Sequence, residues 1–403
     1  MISVEQALAE ILAQVPNGRP TFCALSDSVG RTLAEDIQSD IDSPPYDKSL
    51  VDGYAVIAAD IHSGVTLEVL EAVMAGETPT QSVQPGTAIQ VMTGAPLPPG
   101  ADAVVMVEQT TRDLEVVTIE QDSIQPETNV MRQATSLAQG ETILTRGTII
   151  RPIEVGILAE IGCSSVPVFP QPKLAVISTG DELVDASEVP QAGQIRNSNG
   201  PLLQALGQEF GAKAQSLGIG VDDLKALSDL VKSGLEADIL ILSGGVSAGV
   251  RDLVPAVLNQ HGVEQIFHKL KLKPGKPLWF GIHQHAEGRR TLVFGLPGNP
   301  VSSLVCFLLF VTPVISLWQG GSGNCLRKTK ACLNSEFQQR GDRPTYFPAQ
   351  LTEQDGTRYV TPLAWKGSAD QRTLSEANAL AFFPAGNQRY PAGEEITVLE
   401  IPS

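Results

Sequence analysis

Three glycine-rich stretches hold the residues best suited to chemistry: SGGVSAG from Ser243 to Gly249, KPGKP from Lys273 to Pro277, and GLPGNPVS from Gly295 to Ser302. The first and third follow apolar runs, Ile239–Leu242 and Leu292–Phe294, that read as short buried parallel strands. A further run, Leu174–Ile177, leads into STGDEL, Ser178–Leu183. In an open parallel sheet such loops leave the carboxyl edge together and line one crevice, where ligands of these folds sit. One glycine turn would be explained by its need for a positive φ. Several in one unit, with Pro297 and Pro300 bracketing Gly298-Asn299, predict a rigid loop that offers backbone N–H groups to an anion.

Cations and carboxylates surround these loops. In HKLKLKPGKP, His268–Pro277, the residues Lys269, Lys271 and Lys273 recur at every second position, which predicts one face of an extended strand with Leu270 and Leu272 on the other. A solvated edge strand uses lysines in the same way. A fourth lysine, Lys276, on a Pro-Gly turn among the glycine loops favours an oxyanion or phosphate site. Asp52, Asp181, Glu182, Asp222, Asp223 and Asp252 supply the complementary charge. Each alone reads as a helix cap or a solvated turn residue. Around a phosphate some would hold Mg²⁺, which prefers hard oxygen ligands. His62, His261, His268, His283 and His285 show no zinc-site spacing, and Ser49, Ser178 and Ser302 have no histidine base at a recognised distance in sequence. Neither a Walker motif nor a dinucleotide fingerprint is present.

The elements that must position these groups follow from pattern. A chain of 403 residues has room for several domains. Its net charge of −17 argues against a partner in nucleic acid or an anionic membrane. Five cysteines without a C-x-x-C pair favour reduced thiols and a cytoplasmic setting. Val4, Ala7, Leu8, Ile11, Leu12 and Val15 predict an amphipathic first helix, with Glu5 and Glu10 excluding a secretory segment. Val301–Trp318 is nearly long enough to cross a bilayer, yet its interruptions by Ser302, Ser303, Thr312, Pro313 and Ser316 favour a helix buried against a sheet. The expected fold is multi-domain α/β and β. Residues 1–42 plus 141–170 form a helical linker domain, 43–140 an inserted β-rich lobe, 171–322 a doubly wound parallel-sheet domain, and 323–403 a small β barrel.

Six motifs, SPPYDKSLVDGYAV (Ser43–Val56), MTGAPLPPGADAVV (Met92–Val105), STGDEL, SGGVSAG, KPGKP and GLPGNPVS, occur in an order that resembles the molybdopterin molybdenumtransferases, the family of MoeA and the gephyrin E domain. The resemblance covers nearly the whole chain and makes 171–322 the molybdopterin-binding catalytic domain. It implies Mg²⁺-dependent insertion of molybdate into adenylylated molybdopterin with release of AMP. It also implies a homodimer whose active cleft is shared between subunits, and transient contact with the molybdopterin adenylyltransferase. By motif position, Asp52, Glu182, Asp222, Asp252, Lys269 and Lys273 would be catalytic. Lys276, Gly244, Gly245, Ser247, Pro297, Gly298, Asn299, Pro300, Ser302 and Ser368 would bind substrate, and Glu182, Asp222 and Asp252 would hold the metal.

Some positions depart from the family pattern. Ala134-Thr135-Ser136 stands where the family usually has Gly-Glu-Asp, Pro348 where it has an arginine, Leu50-Val51 where it has Ala-Met, and Asn197 where it often has an aspartate. The lost carboxylate and arginine leave open a non-catalytic molybdopterin-binding or scaffold protein on the same fold. A different phosphohydrolase on a related α/β scaffold would leave the matching β lobe unexplained.

Overall fold

The computed structural model describes residues 1–16, 18–221, 223–246, 253–323 and 326–401. The chain divides into two compact units, one of Met1–Cys23, Gly30–Ala34 and Pro167–Ser403, the other of Ala24–Val29 and Glu35–Val166.

The larger unit is built on a sheet of β1 (Lys173–Thr179), β2 (Lys213–Gly220), β3 (Ile239–Ser243), β4 (Val263–His268), β5 (Trp279–Gln284) and β6 (Arg290–Leu296), in the order β2-β1-β3-β6-β5-β4. β2, β1, β3 and β6 are parallel, whereas β5 and β4 continue the sheet antiparallel. The doubly wound sheet is therefore mixed at one edge. Its central strands bury both faces. Leu174, Val176, Ile239 and Ile241 enter one apolar cluster, and Ala175, Ile177, Leu240 and Leu242 enter the other. That period-two division inside continuous apolar runs is what helices on both sides of a sheet require. Helix α1 (Val4–Leu12), from the segment grouped by pattern with 141–170, lies in this unit and adds Val4, Ala7 and Ile11 to the first cluster. Helix α2 (Asn199–Glu209) covers the same face. Helices α3 (Leu224–Gly234) and α4 (Val254–Gln260) cover the other through Leu227, Val231, Val254 and Val257.

The apolar helix Pro300–Trp318 is a core element: 83% of its most apolar window is buried, and a π-helical turn at Phe307–Val311 interrupts it. Membrane-like composition here reflects contact with protein on all sides.

The lysine run is not a continuous strand. β4 ends at His268, and Lys269 has φ 72, which turns the chain away from the sheet. The amide of Leu270 then donates to the Lys276 carbonyl, that of Lys271 to Ile2, and that of Lys273 to Pro344. The alternation survives in burial: Leu270 and Leu272 are fully buried, while Lys271 is exposed. Contacts with the first residues and the C-terminal barrel, distant in sequence, thus replace ladder pairing.

The barrel is closed by Lys328–Leu333, Thr345–Gln354, Thr357–Pro362, Ala379–Phe383 and Glu395–Glu400. Asp355 and Gly356, with φ 49 and 74, make its tight hairpin turn. Pro348 is buried in the second of these strands, where its carbonyl accepts from the Leu363 amide at 3.0 Å.

The smaller unit holds a six-stranded sheet in which Gly53–Val56 lies between the edge strand Ala103–Met106 and Thr87–Val91. Near its Ala134-Thr135-Ser136 turn, Arg132 pairs with Asp47 and Glu127, and the Ser136 amide donates to Ser43 at 2.8 Å.

Candidate active site

The sheet order places β1 beside β3, with β2 on the outside, so the direction of winding reverses between β1 and β3. Ligands of open α/β folds sit at that switch point, outside the carboxyl ends of the strands. A cavity of about 610 Å³ lies there, lined by Ser178–Gly180 at the carboxyl end of β1, Ser243–Val246 at that of β3 and Pro297–Pro300 after β6.

Asn199, the first residue of α2, ties these loops together. Its Nδ2 donates to Ser243 Oγ at 2.8 Å and to the Gly298 carbonyl at 2.7 Å. Its Oδ1 and the Ser178 Oγ are buried and have no hydrogen-bond partner among the described residues. Buried polar atoms in that condition are costly unless a ligand or water satisfies them. Gly244 has φ 96, and a Cβ there would lie 2.5 Å from the Thr179 carbonyl oxygen, so only glycine fits the turn after β3. Gly298 faces it, its own Cβ position 3.7 Å from Gly244 Cα. Asn197 Oδ1 accepts from the Gly200 amide at 3.0 Å and so caps the start of α2.

A second cavity of about 570 Å³ shares Pro277, Pro297 and Asn299 with the first. Among the described residues, its walls carry Lys273, Lys276, Arg343 and Lys366 and no carboxylate. Arg343 is fixed by donating to the Leu272 carbonyl at 2.9 Å. A space walled by cations and hydroxyls in a chain of net charge −17 is chemically a receptor for oxyanions.

The structure thus gathers most of the residues singled out from sequence. Glu182, Gly244, Gly245, Gly298 and Pro300 line the first cavity. Lys273, Lys276, Ser302 and Ser368 line the second, while Pro297 and Asn299 belong to both. Lys269 lines neither; its positive φ starts the turn that leads to Lys273. Asp222, Asp252 and Ser247 lie outside the described residues. Asp52 belongs to the smaller unit, where the Thr93 amide donates to it at 2.7 Å and the Thr93 hydroxyl at 2.8 Å. The amide first, then the hydroxyl, holds the Asp52 carboxyl below its ordinary value. Asn199, Arg343 and Lys366 escaped sequence reasoning. An asparagine opening the helix after the β1 loop was the available signal for Asn199.

For Mg²⁺, the described residues contain no cluster of three or more acidic or histidine ligands. Glu182 supplies one carboxylate at the cavity wall, folded back over Gly180. Mg²⁺ commonly takes one or two carboxylates and completes its shell with phosphate oxygens and water, so this donor chemistry fits it.

Residues 2–162 match the MoeA N-terminal region (domain I and II), 175–316 the probable molybdopterin binding domain, and 330–401 the MoeA C-terminal region (domain IV). Fold and site together thus define an enzyme of the molybdopterin-binding class. The chain is 33% identical to the molybdopterin molybdenumtransferase of Bacillus subtilis, over 99% of this chain and 94% of that protein. It is 32% identical to that of Staphylococcus aureus, over 99% and 95%. The crystal structure of a molybdopterin biosynthesis MoeA protein from Pyrococcus horikosii superposes with a TM-score of 0.86 at 31% identity, covering 100% of both chains. The chain belongs to the molybdopterin molybdenumtransferase family, and it is a transferase of molybdenum cofactor biosynthesis.

Proposed function

We propose that this chain inserts molybdate into adenylylated molybdopterin with Mg²⁺-assisted hydrolysis of the adenylyl phosphoanhydride and release of AMP. The observation that carries this reading is the pairing of a lysine-walled cavity with a glycine-loop cavity across a shared wall. Lys273 and Lys276 gather the oxyanion, and Ser302 and Ser368 offer hydroxyls to it. Asn199 holds the loops after β3 and β6 in register, so the N–H groups facing the phosphates are set before substrate arrives. Glu182, with Asp222 and Asp252, would hold Mg²⁺, which would neutralise phosphate charge when bound.

Purified protein given adenylylated molybdopterin, molybdate and Mg²⁺ is expected to release AMP and form the cofactor. Pterin binding without AMP release, under conditions where the Bacillus subtilis relative turns over, would overturn this reading and favour the scaffold protein.

The assembly we propose is a homodimer with a shared cleft, in which Asp52 of the partner subunit reaches the lysine cavity. It rests on the family resemblance of the SPPYDKSLVDGYAV and KPGKP motifs. Mixed heterodimers of Asp52→Ala and Lys273→Ala chains are then expected to regain part of the activity that each homodimer lacks. Confirmed heterodimers without recovery would refute the shared cleft. A transient complex with the adenylyltransferase that makes the substrate, and a cytoplasmic setting, belong to the same reading. The free thiols of Cys163, Cys306 and Cys332 agree with the latter.

A further inference from the structure

The lysine cavity has a cation that the glycine loops do not supply. Lys273 and Lys276 belong to KPGKP, whereas Lys366 comes from the segment between barrel strand Thr357–Pro362 and the short helix Gln371–Glu376. Among the described residues none of the three forms an ion pair. The acidic residue beside Lys366, Asp370, is held below the ordinary carboxylate range first by the Thr373 hydroxyl and then by the Lys366 amide, with the Lys366 charge a smaller contribution. Its Oδ2 accepts from the Lys366 amide at 3.1 Å and the Thr373 hydroxyl at 2.7 Å, and its Oδ1 from the Thr373 amide at 3.3 Å.

That segment is held in place from both ends. The Val301 amide, at the start of the apolar helix, donates to the Ser368 carbonyl at 3.1 Å, and the Trp365 ring stands edge-on to Phe347 with centroids 5.0 Å apart. Trp365 also carries a buried indole N–H with no acceptor among the described residues. Ammonium groups around one space repel one another, and the repulsion becomes attraction only when an anion enters.

We propose that Lys366 is a further substrate-binding residue, which positions a tetrahedral dianion against Lys273 and Lys276. The dianion is molybdate itself or the phosphate of the pterin. The proposal rests on the reading of this cavity as the oxyanion site of the transferase.

Calorimetric titration of the full-length protein with sodium molybdate, and separately with inorganic phosphate, tests it. Lys366→Gln is expected to weaken one or both dianions about tenfold, the scale of one charge-assisted contact, and Lys366→Arg to restore most of the affinity. The dianion that suffers more is the one Lys366 meets. In turnover, the Lys366→Gln KM for molybdate or for the pterin should rise about tenfold with kcat at saturation changed by less than about twofold, the signature of a binding contact made equally in ground and transition states. Lys366 is exposed, so the melting temperature should hold. Unchanged affinity of Lys366→Gln for both dianions, with wild-type binding intact, overturns the role of Lys366 alone. Wild-type protein that binds neither dianion overturns the oxyanion reading of the cavity and this proposal with it.

Discussion

Lys273→Glu is expected to lower molybdate affinity and kcat/KM by about a hundredfold or more, since the change removes an attraction and installs a repulsion at the same point. The backbone at this position is clamped on both sides. Its amide donates to Pro344 at 2.9 Å and its carbonyl accepts from Tyr346 at 2.8 Å. The side chain therefore leaves from a fixed point into the cavity with Lys276 and Lys366, and a carboxylate there cannot withdraw by moving the chain. Because the residue is only half-buried, the fold should tolerate the change, which a melting curve would verify. An affinity within about twofold of wild type would return the lysine loop to the role of a solvated surface segment.

The second large effect is structural in cause and catalytic in outcome. Gly244→Val should cost about 3 kcal/mol or more, because the position combines φ 96 with a backbone oxygen 2.5 Å from any added Cβ. Relief requires the turn after β3 to move away from Thr179, which breaks the alignment that Asn199 imposes between Ser243 and Gly298. Denaturant unfolding should show the lost stability, and residual folded protein should have little activity. A variant with wild-type stability and turnover would mean that the turn relaxes without consequence, and that the glycine is not required by the site.

Much of this arrangement was legible in the sequence, for a physical reason. Runs such as Leu174–Ile177 and Ile239–Leu242 are apolar on every residue because both sheet faces are covered, and the glycine loops announce themselves by a conformation other residues resist. The lysine run misled because period two was real in burial but not in hydrogen bonding. Its path depends on Ile2 and Pro344, far away in the chain. Asn199 and Lys366 were opaque for the same reason. Asn199 meets Gly298 across 99 residues, and Lys366 joins Lys273 only once the barrel segment docks beside the α/β sheet. The antiparallel edge formed by β4 and β5 was hidden as well, since the loop that returns one strand on the other looks in sequence like a continuation of the first.

The buried helix Pro300–Trp318 has a consequence for biosynthesis. To a targeting machinery that reads hydropathy alone, a 19-residue stretch of this composition is an insertion signal, and to neighbouring nascent chains it is an aggregation seed. The order of the chain answers both hazards. Helix α1 and all six strands of the α/β sheet precede Pro300, so most of the surface that covers the helix has been synthesised when Trp318 emerges, with Tyr346, Leu380 and Leu399 of the barrel added afterwards. A circular permutant that begins at Asn299 would synthesise the helix before its covering sheet, and that chain is the one that should need chaperones.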